Sequence, residues 1–178
     1  MIFARYLTIA VMTSLLFVLA DRATAAARDL EILGWVETAR LMDPAITLKA
    51  KLDTGAETSS LDAEVIKKFR KDGKRWVRFR LTDRATGEDF IIVRERMRTI
   101  GVVQHDGSSQ RRPVVEMQVC IASRVIRTEV SLIDRSEFNY PLLLGRNALE
   151  NFALVDPGYT FLSEPACPPE PGNEGSGT

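Results

Sequence analysis

Lys49-Ala50-Lys51-Leu52-Asp53-Thr54-Gly55-Ala56-Glu57-Thr58-Ser59-Ser60-Leu61 is the stretch on which the reading of this chain turns. It begins as the end of an alternating strand, residues 46–52, with Ile46, Leu48, Ala50 and Leu52 on one face and Thr47, Lys49 and Lys51 on the other. The strand delivers Asp53 into a loop that at once contains Gly55. A carboxylate used as a general base needs a fixed pose and a tuned pKa, and a rigid loop supplies both. Glycine two residues on lets backbone approach the carboxylate with no Cβ in the way. Asp, Thr and Gly are also ordinary turn residues, so the triplet alone reads as a plain turn. Its surroundings decide between the two.

Outward from this loop the chain reads as short β segments separated by turn signals. Residues 32–36 form a strand, and residues 61–71 read as one short helical turn or an irregular connection. Residues 76–81 alternate cleanly, break at 83–87 and resume at 90–93, which predicts a hairpin. A second hairpin runs from 98–103 through His105-Asp106-Gly107-Ser108 into 114–121, with Asp-Gly supplying the positive-φ turn residue. Residues 125–133 alternate again. Leu142-Leu143-Leu144 is wholly apolar, as expected of a strand buried on both faces. Arg146 to Phe152 has helical spacing, and residues 154–155 and 159–162 close the domain. Strands at this spacing with little helix predict an all-β, closed or nearly closed barrel.

The ends bound the domain. Residues 1–27 have a basic start at Arg5, an apolar run from Leu7 to Ala20 and small residues at Ala23, Ala25 and Ala27, the pattern of a cleaved signal peptide. An uncleaved N-terminal anchor is the alternative, and only then does the chain touch a membrane. Either outcome predicts a periplasmic or secreted domain. Residues 163–178 are rich in Pro, Gly, Ser and Glu and predict a disordered tail, leaving residues 28–162 as the folded unit. The 24 Lys and Arg balance 24 Asp and Glu, and the basic clusters are short and interrupted, so no nucleic-acid partner is expected. Cys120 in an apolar strand and Cys167 in the tail leave open a disulfide or two separate thiols.

The segment Tyr140-Pro141-Leu142-Leu143-Leu144-Gly145-Arg146-Asn147-Ala148-Leu149 completes the pattern. With Asp53-Thr54-Gly55-Ala56 upstream and a hairpin between, the chain resembles the retropepsin-type aspartic peptidases. In particular it resembles their bacterial branch, known as "ATP-dependent zinc protease". Further points of likeness are Asp72-Gly73-Lys74-Arg75-Trp76-Val77-Arg78-Phe79, Arg112-Pro113-Val114 and Leu154-Val155-Asp156-Pro157. Glu57 departs from the basic residue expected there in the bacterial branch.

The resemblance implies an acid-protease barrel with a psi-loop around Asp53, a flap hairpin over 101–112 and one short C-terminal helix. It implies Asp53 as the catalytic carboxylate, supported by Thr54, Gly55, Ala56, Leu144, Gly145 and Arg146. Thr58, Ser59, Ser60 and Arg112 are candidate substrate or flap contacts. Two carboxylates that meet cannot both ionise freely, so aspartic peptidases share one proton between them. This chain has one such triplet, which implies a homodimer with one Asp53 from each copy, acting on a peptide or protein substrate. No cofactor is expected: one histidine and two cysteines without ligand spacing do not make a zinc site, and there is no glycine-rich phosphate loop for ATP. Two rival readings are a non-catalytic peptide-binding or sensing module on the same fold, and an envelope adaptor acting through the Pro-rich tail.

Overall fold

The computed structural model describes residues 29–103 and 107–168. The signal peptide expected over residues 1–27, His105 of the expected flap tip and residues 169–178 lie outside the described residues. Strands are β1 (Glu31–Gly34), β2 (Val36–Met42), β3 (Ala45–Leu52), β4 (Ser59–Asp62), β5 (Glu64–Lys71), β6 (Lys74–Thr82), β7 (Asp89–Glu95), β8 (Arg98–Val103), β9 (Ser109–Ile121), β10 (Arg124–Ile133), β11 (Leu142–Leu144) and β12 (Ala153–Asp156). One short helix, α1 (Arg146–Leu149), precedes β12.

The main sheet runs β10-β4-β11-β3-β2-β9-β8, and β10 also pairs with β9. Its ladder therefore returns on itself through β10, β4, β11, β3, β2 and β9, while β8 extends β9 outward as the flap. The fold is the all-β, retropepsin-like one the sequence predicts.

The strand order also contains the expected psi-loop. β11 lies between β3 and β4, parallel to the first and antiparallel to the second. Consecutive strands β3 and β4 are thus prised apart by one from far downstream, and the Asp53 loop joins them across its end. Both β11 neighbours bring apolar side chains, which is why Leu142 and Leu144 are fully buried. Ile46, Ala50 and Leu52 of β3 point into the same core, beside Leu41, Leu61, Val119, Ile121 and Leu132.

Residues 61–71 are neither a helical turn nor an irregular connection. They supply the end of β4 and all of β5, which pairs with β6, and β6 pairs with β7, in a separate three-stranded sheet. Asp72 and Gly73 form the two-residue tip between β5 and β6, both at positive φ (52° and 74°), the geometry that suits the right-handed twist of a tight hairpin. Phe79 and Val77 of β6 are fully buried against the barrel.

The tail expectation is corrected for residues 163–168. Cys167 is bonded to Cys120, and Ala166 N donates to Ala122 O. Arg40 Nη2 donates to Cys167 O at 2.8 Å. Glu37, fully buried on β2, accepts from Leu162 N, Ser163 N and Gly34 N. The low apolar content of this segment suggested it could not offset its ordering entropy, but a covalent link and a buried acceptor do so.

Candidate active site

β3 ends at Leu52, whose N–H donates to Trp35 O. Asp53 is then pinned by its own N–H, which donates to Leu144 O of β11 at 2.8 Å. Its carboxylate is organised by the loop it starts. Oδ1 accepts from Gly55 N at 3.0 Å and Ala56 N at 3.2 Å, while Oδ2 lies 3.4 Å from Lys51 Nζ. The side chain is 26% exposed, so one flank of the carboxylate remains open. A Cβ on Gly55 would sit 3.2 Å from Asp53 Oδ1, which explains the glycine in this tight return.

Burial by itself would raise the Asp53 pKa. The Gly55 N–H, the Lys51 ammonium and the Ala56 N–H outweigh it, and the group titrates below the ordinary carboxylate value. One copy of the chain therefore presents an ionised carboxylate.

The downstream segment buttresses the loop from behind. Arg146 N donates to Ala56 O and Asn147 N to Glu57 O. Arg146 Nη1 donates to Thr54 O and Gly55 O. Gly145 N donates to Ser59 Oγ, and a Cβ at Gly145 would stand 2.8 Å from Glu57 O. Close approach of two backbones is thus the physical demand met by Gly145. Thr54 is exposed on the loop.

The candidate substrate contacts divide. Thr58 is partly exposed and its Oγ1 accepts from Arg98 Nη2, whose Nε also donates to Glu129. Arg112 is partly exposed at the base of the flap, its Nε donating to Gln110 Oε1 at 2.9 Å. Ser59 and Ser60 are not surface contacts at all. Ser59 is fully buried and binds Gly145 N, while Ser60 Oγ accepts from Arg135 Nη1 at 2.8 Å. Both hydroxyls satisfy buried donors inside the psi-loop, so they support the site without reaching a substrate.

Sequence reasoning missed three neighbours. Lys51 was read only as the polar face of β3, although a residue two before the carboxylate shares its side of the strand. Arg135, 8% exposed, joins Ser60, Tyr140 O and the Phe138 ring, and its backbone N–H donates to Asp62. Asp62 in turn pairs with Arg84. These partners are distant in sequence and carry no local signature. Among the described residues no group of three or more His, Cys, Asp or Glu is placed to hold a metal, and the disulfide removes both cysteines as ligands.

The chain is similar to several known proteins. Residues 32–166 match the model of the RimB-like family, described as retropepsin-like aspartic endopeptidase RimB. A probable alpha-L-glutamate ligase of Shewanella pealeana is 33% identical over 130 residues, covering 71% of this chain and 28% of the ligase. One from Parasynechococcus marenigrum is 34% identical over 125 residues, covering 69% and 26%. The chain thus spans about a quarter of the length of these curated relatives. Among solved structures, the Legionella pneumophila protein Lpg0085, of unknown function, superposes with a TM-score of 0.64 at 36% identity. That match covers 75% of this chain and 98% of the other.

Proposed function

The chain belongs to the RimB-like family of retropepsin-like aspartic endopeptidases, and from that premise we propose that it hydrolyses peptide bonds outside the cytoplasm, using two Asp53 carboxylates brought together in a homodimer. The observation that carries this reading is the Asp53 carboxylate itself, held by Gly55 and Ala56 N–H groups at the end of the psi-loop and backed by Gly145 and Arg146. Where two such groups meet, repulsion forces them to share a proton. The ionised carboxylate takes a proton from water as its oxygen attacks the peptide carbonyl carbon. The shared proton passes to the carbonyl oxygen, and the tetrahedral intermediate collapses as the leaving nitrogen is protonated.

Two features support the assembly and the compartment. β1 and β12 form a two-stranded parallel sheet that pairs with no other described strand, and its register partners Ile32 and Leu154 are 63% and 53% exposed. Such an edge offers backbone groups and apolar surface to a second copy. The Cys120–Cys167 disulfide favours an oxidising compartment, in keeping with the signal-like residues 1–27. The ligase name of the relatives belongs to much longer proteins, and this chain has no phosphate-cradling loop for the nucleotide that ligation needs.

A second reading, a peptide-binding module without catalysis, is favoured by the polar sequence of the flap segment 104–110, which lacks the glycine-rich, apolar character of a retroviral flap. Unfolded polypeptides incubated with wild type and with Asp53→Asn separate the two. Peptidase action predicts cleavage with a bell-shaped pH profile, lost by at least about a hundredfold in the variant and lost on dilution of the wild type below its dimer constant. A chain that stays monomeric at high concentration and cleaves nothing leaves the binding module.

A further inference from the structure

We propose that Lys51 is a positioning residue for the Asp53 carboxylate, its ammonium fixing Oδ2 and displacing the working pH range of the site toward acid. The inference rests on the peptidase reading and deepens it.

The geometry assigns the two carboxylate oxygens different partners. Oδ1 is occupied by the N–H groups of Gly55 and Ala56. Oδ2 has Lys51 Nζ at 3.4 Å. Lys51 is a residue of β3, held by its pairing with Val36 of β2 on one side and Leu143 of β11 on the other. It faces outward, on the side of the strand to which Asp53 also belongs, so the ammonium is presented from a rigid element and not from a mobile loop. The remaining cations around the loop have other hydrogen-bond partners, although Arg135 also feels the Asp53 charge through space. Arg146 donates to Thr54 O and Gly55 O, and Arg98 to Glu129 and Thr58. Arg135 donates to Ser60 and Tyr140 O, and Arg112 to Gln110. Glu57 is exposed on the same loop. Among the described residues, Lys51 is the cation in ion-pair contact with Asp53.

In a dimer the two-fold axis brings two ammonium groups to the pair of carboxylates. A shared proton then has a competitor, because each cation also relieves the repulsion that the proton exists to relieve. Both apparent pKa values of the pair are lower than they would be beside a neutral residue, so the acid limb and the alkaline limb of the rate profile both move down. Lys51→Met removes the charge and should move both limbs to higher pH. Lys51→Arg keeps the charge and should keep the wild-type profile. A merely structural lysine would change the rate at all pH values alike, without moving the limbs.

The test is the pH–rate profile of the full chain for wild type, Lys51→Met, Lys51→Arg and Asp53→Asn on one unfolded polypeptide substrate, with Lys51→Gln in reserve if the methionine variant does not fold. Displacement of both limbs upward in Lys51→Met or Lys51→Gln and not in Lys51→Arg supports the inference. Superposed profiles for all the lysine variants, with Asp53→Asn inactive, overturn it while leaving the peptidase reading intact. If the wild type cleaves nothing, that reading fails separately. NMR titration of the Asp53 side-chain carboxyl carbon then decides the pairing by itself: a higher midpoint in Lys51→Met upholds the hold of Lys51 on Oδ2, and an unchanged one sinks it.

Discussion

The Asp53 loop and the C-terminal strap, residues 159–167, are both irregular segments laid along the barrel, yet they are held in opposite ways. The loop is gripped mainly through backbone: Asp53 N on Leu144 O, Arg146 N on Ala56 O, Asn147 N on Glu57 O. Two backbone contacts also start the strap, Tyr159 O to Trp35 N and Phe161 N to Val36 O. A third, Ala166 N to Ala122 O, ends it, and between them the strap hangs on side chains, the Glu37 carboxylate and the disulfide to Cys120. A site that must present one carboxylate in one pose gains from many redundant backbone partners, because few single substitutions can dislodge it. A strap needs only to stay closed, and two clasps suffice. The difference predicts where each segment breaks.

The largest effect on stability falls at the strap. Cys120 and Cys167 are 47 residues apart, and closing a loop of that size restricts the unfolded chain by about 4 kcal/mol in the chain-entropy treatment. Cys167→Ser should lower the urea unfolding free energy by about that amount. Peptide cleavage under native conditions should persist, since the strap is tied to Trp35, Val36, Glu37, Arg40, Cys120 and Ala122. Loss of cleavage in a variant that is still folded would show that the two regions are coupled.

Gly145→Ala should have a smaller effect on stability and a larger one on the loop. The backbone there has φ −86° and ψ −179°, which alanine adopts freely, so conformational strain is not the issue. The added Cβ would stand 2.8 Å from Glu57 O and 2.9 Å from Thr58 C. One backbone must retreat, at about 1–3 kcal/mol, and the Gly145 N–H bond to Ser59 Oγ retreats with it. Cleavage should fall more steeply than stability does. An alanine variant with normal activity would mean that the loop tolerates being moved.

The same contrast explains what could be read from sequence. Asp53-Thr54-Gly55-Ala56 and Leu143-Leu144-Gly145-Arg146 are short and contiguous, and each residue type answers a local demand, so the psi-loop and its support were legible. The strap was legible only in part: the Cys120–Cys167 pair stood as one of two alternatives, whereas nothing in the neighbourhood of Glu37 marks it as a buried acceptor. β5 was misread for a different reason. Lys67, Lys68, Arg70 and Lys71 hide the alternation of Val65 and Phe69, and a bulge between Val65 and Lys67 shifts the phase. The signal that could have recovered it was Asp72-Gly73, a two-residue hairpin tip directly before an alternating strand. Ser59 and Ser60 could be read as substrate contacts or as residues that simply hold the loop, and a loop this tightly backed turns them inward.

The smallest effect is the pH dependence of Asp53 stability, and its sign separates a lone loop from a paired one. In the single chain the Asp53 pKa is lowered, the Gly55 and Ala56 N–H groups and Lys51 outweighing burial. A group depressed in the folded state contributes stability that is present above its unfolded pKa, about 3.9, and is lost as pH falls through the folded value. Wild type should therefore gain on Asp53→Asn as pH rises from strong acid, and the two urea midpoints should converge again at the acid end. In a dimer with two Asp53 carboxylates in contact, one ionisation is pushed upward. Its folded state holds a proton that the unfolded chain has released, so wild type should lose stability relative to Asp53→Asn between the unfolded pKa and that raised value. Urea midpoints of both proteins, followed across this pH range at concentrations below and above the dimer constant, should show the difference reversing sign with assembly. A wild-type advantage that persists unchanged at high concentration would mean that the two carboxylates never meet, and the paired site would be lost with it.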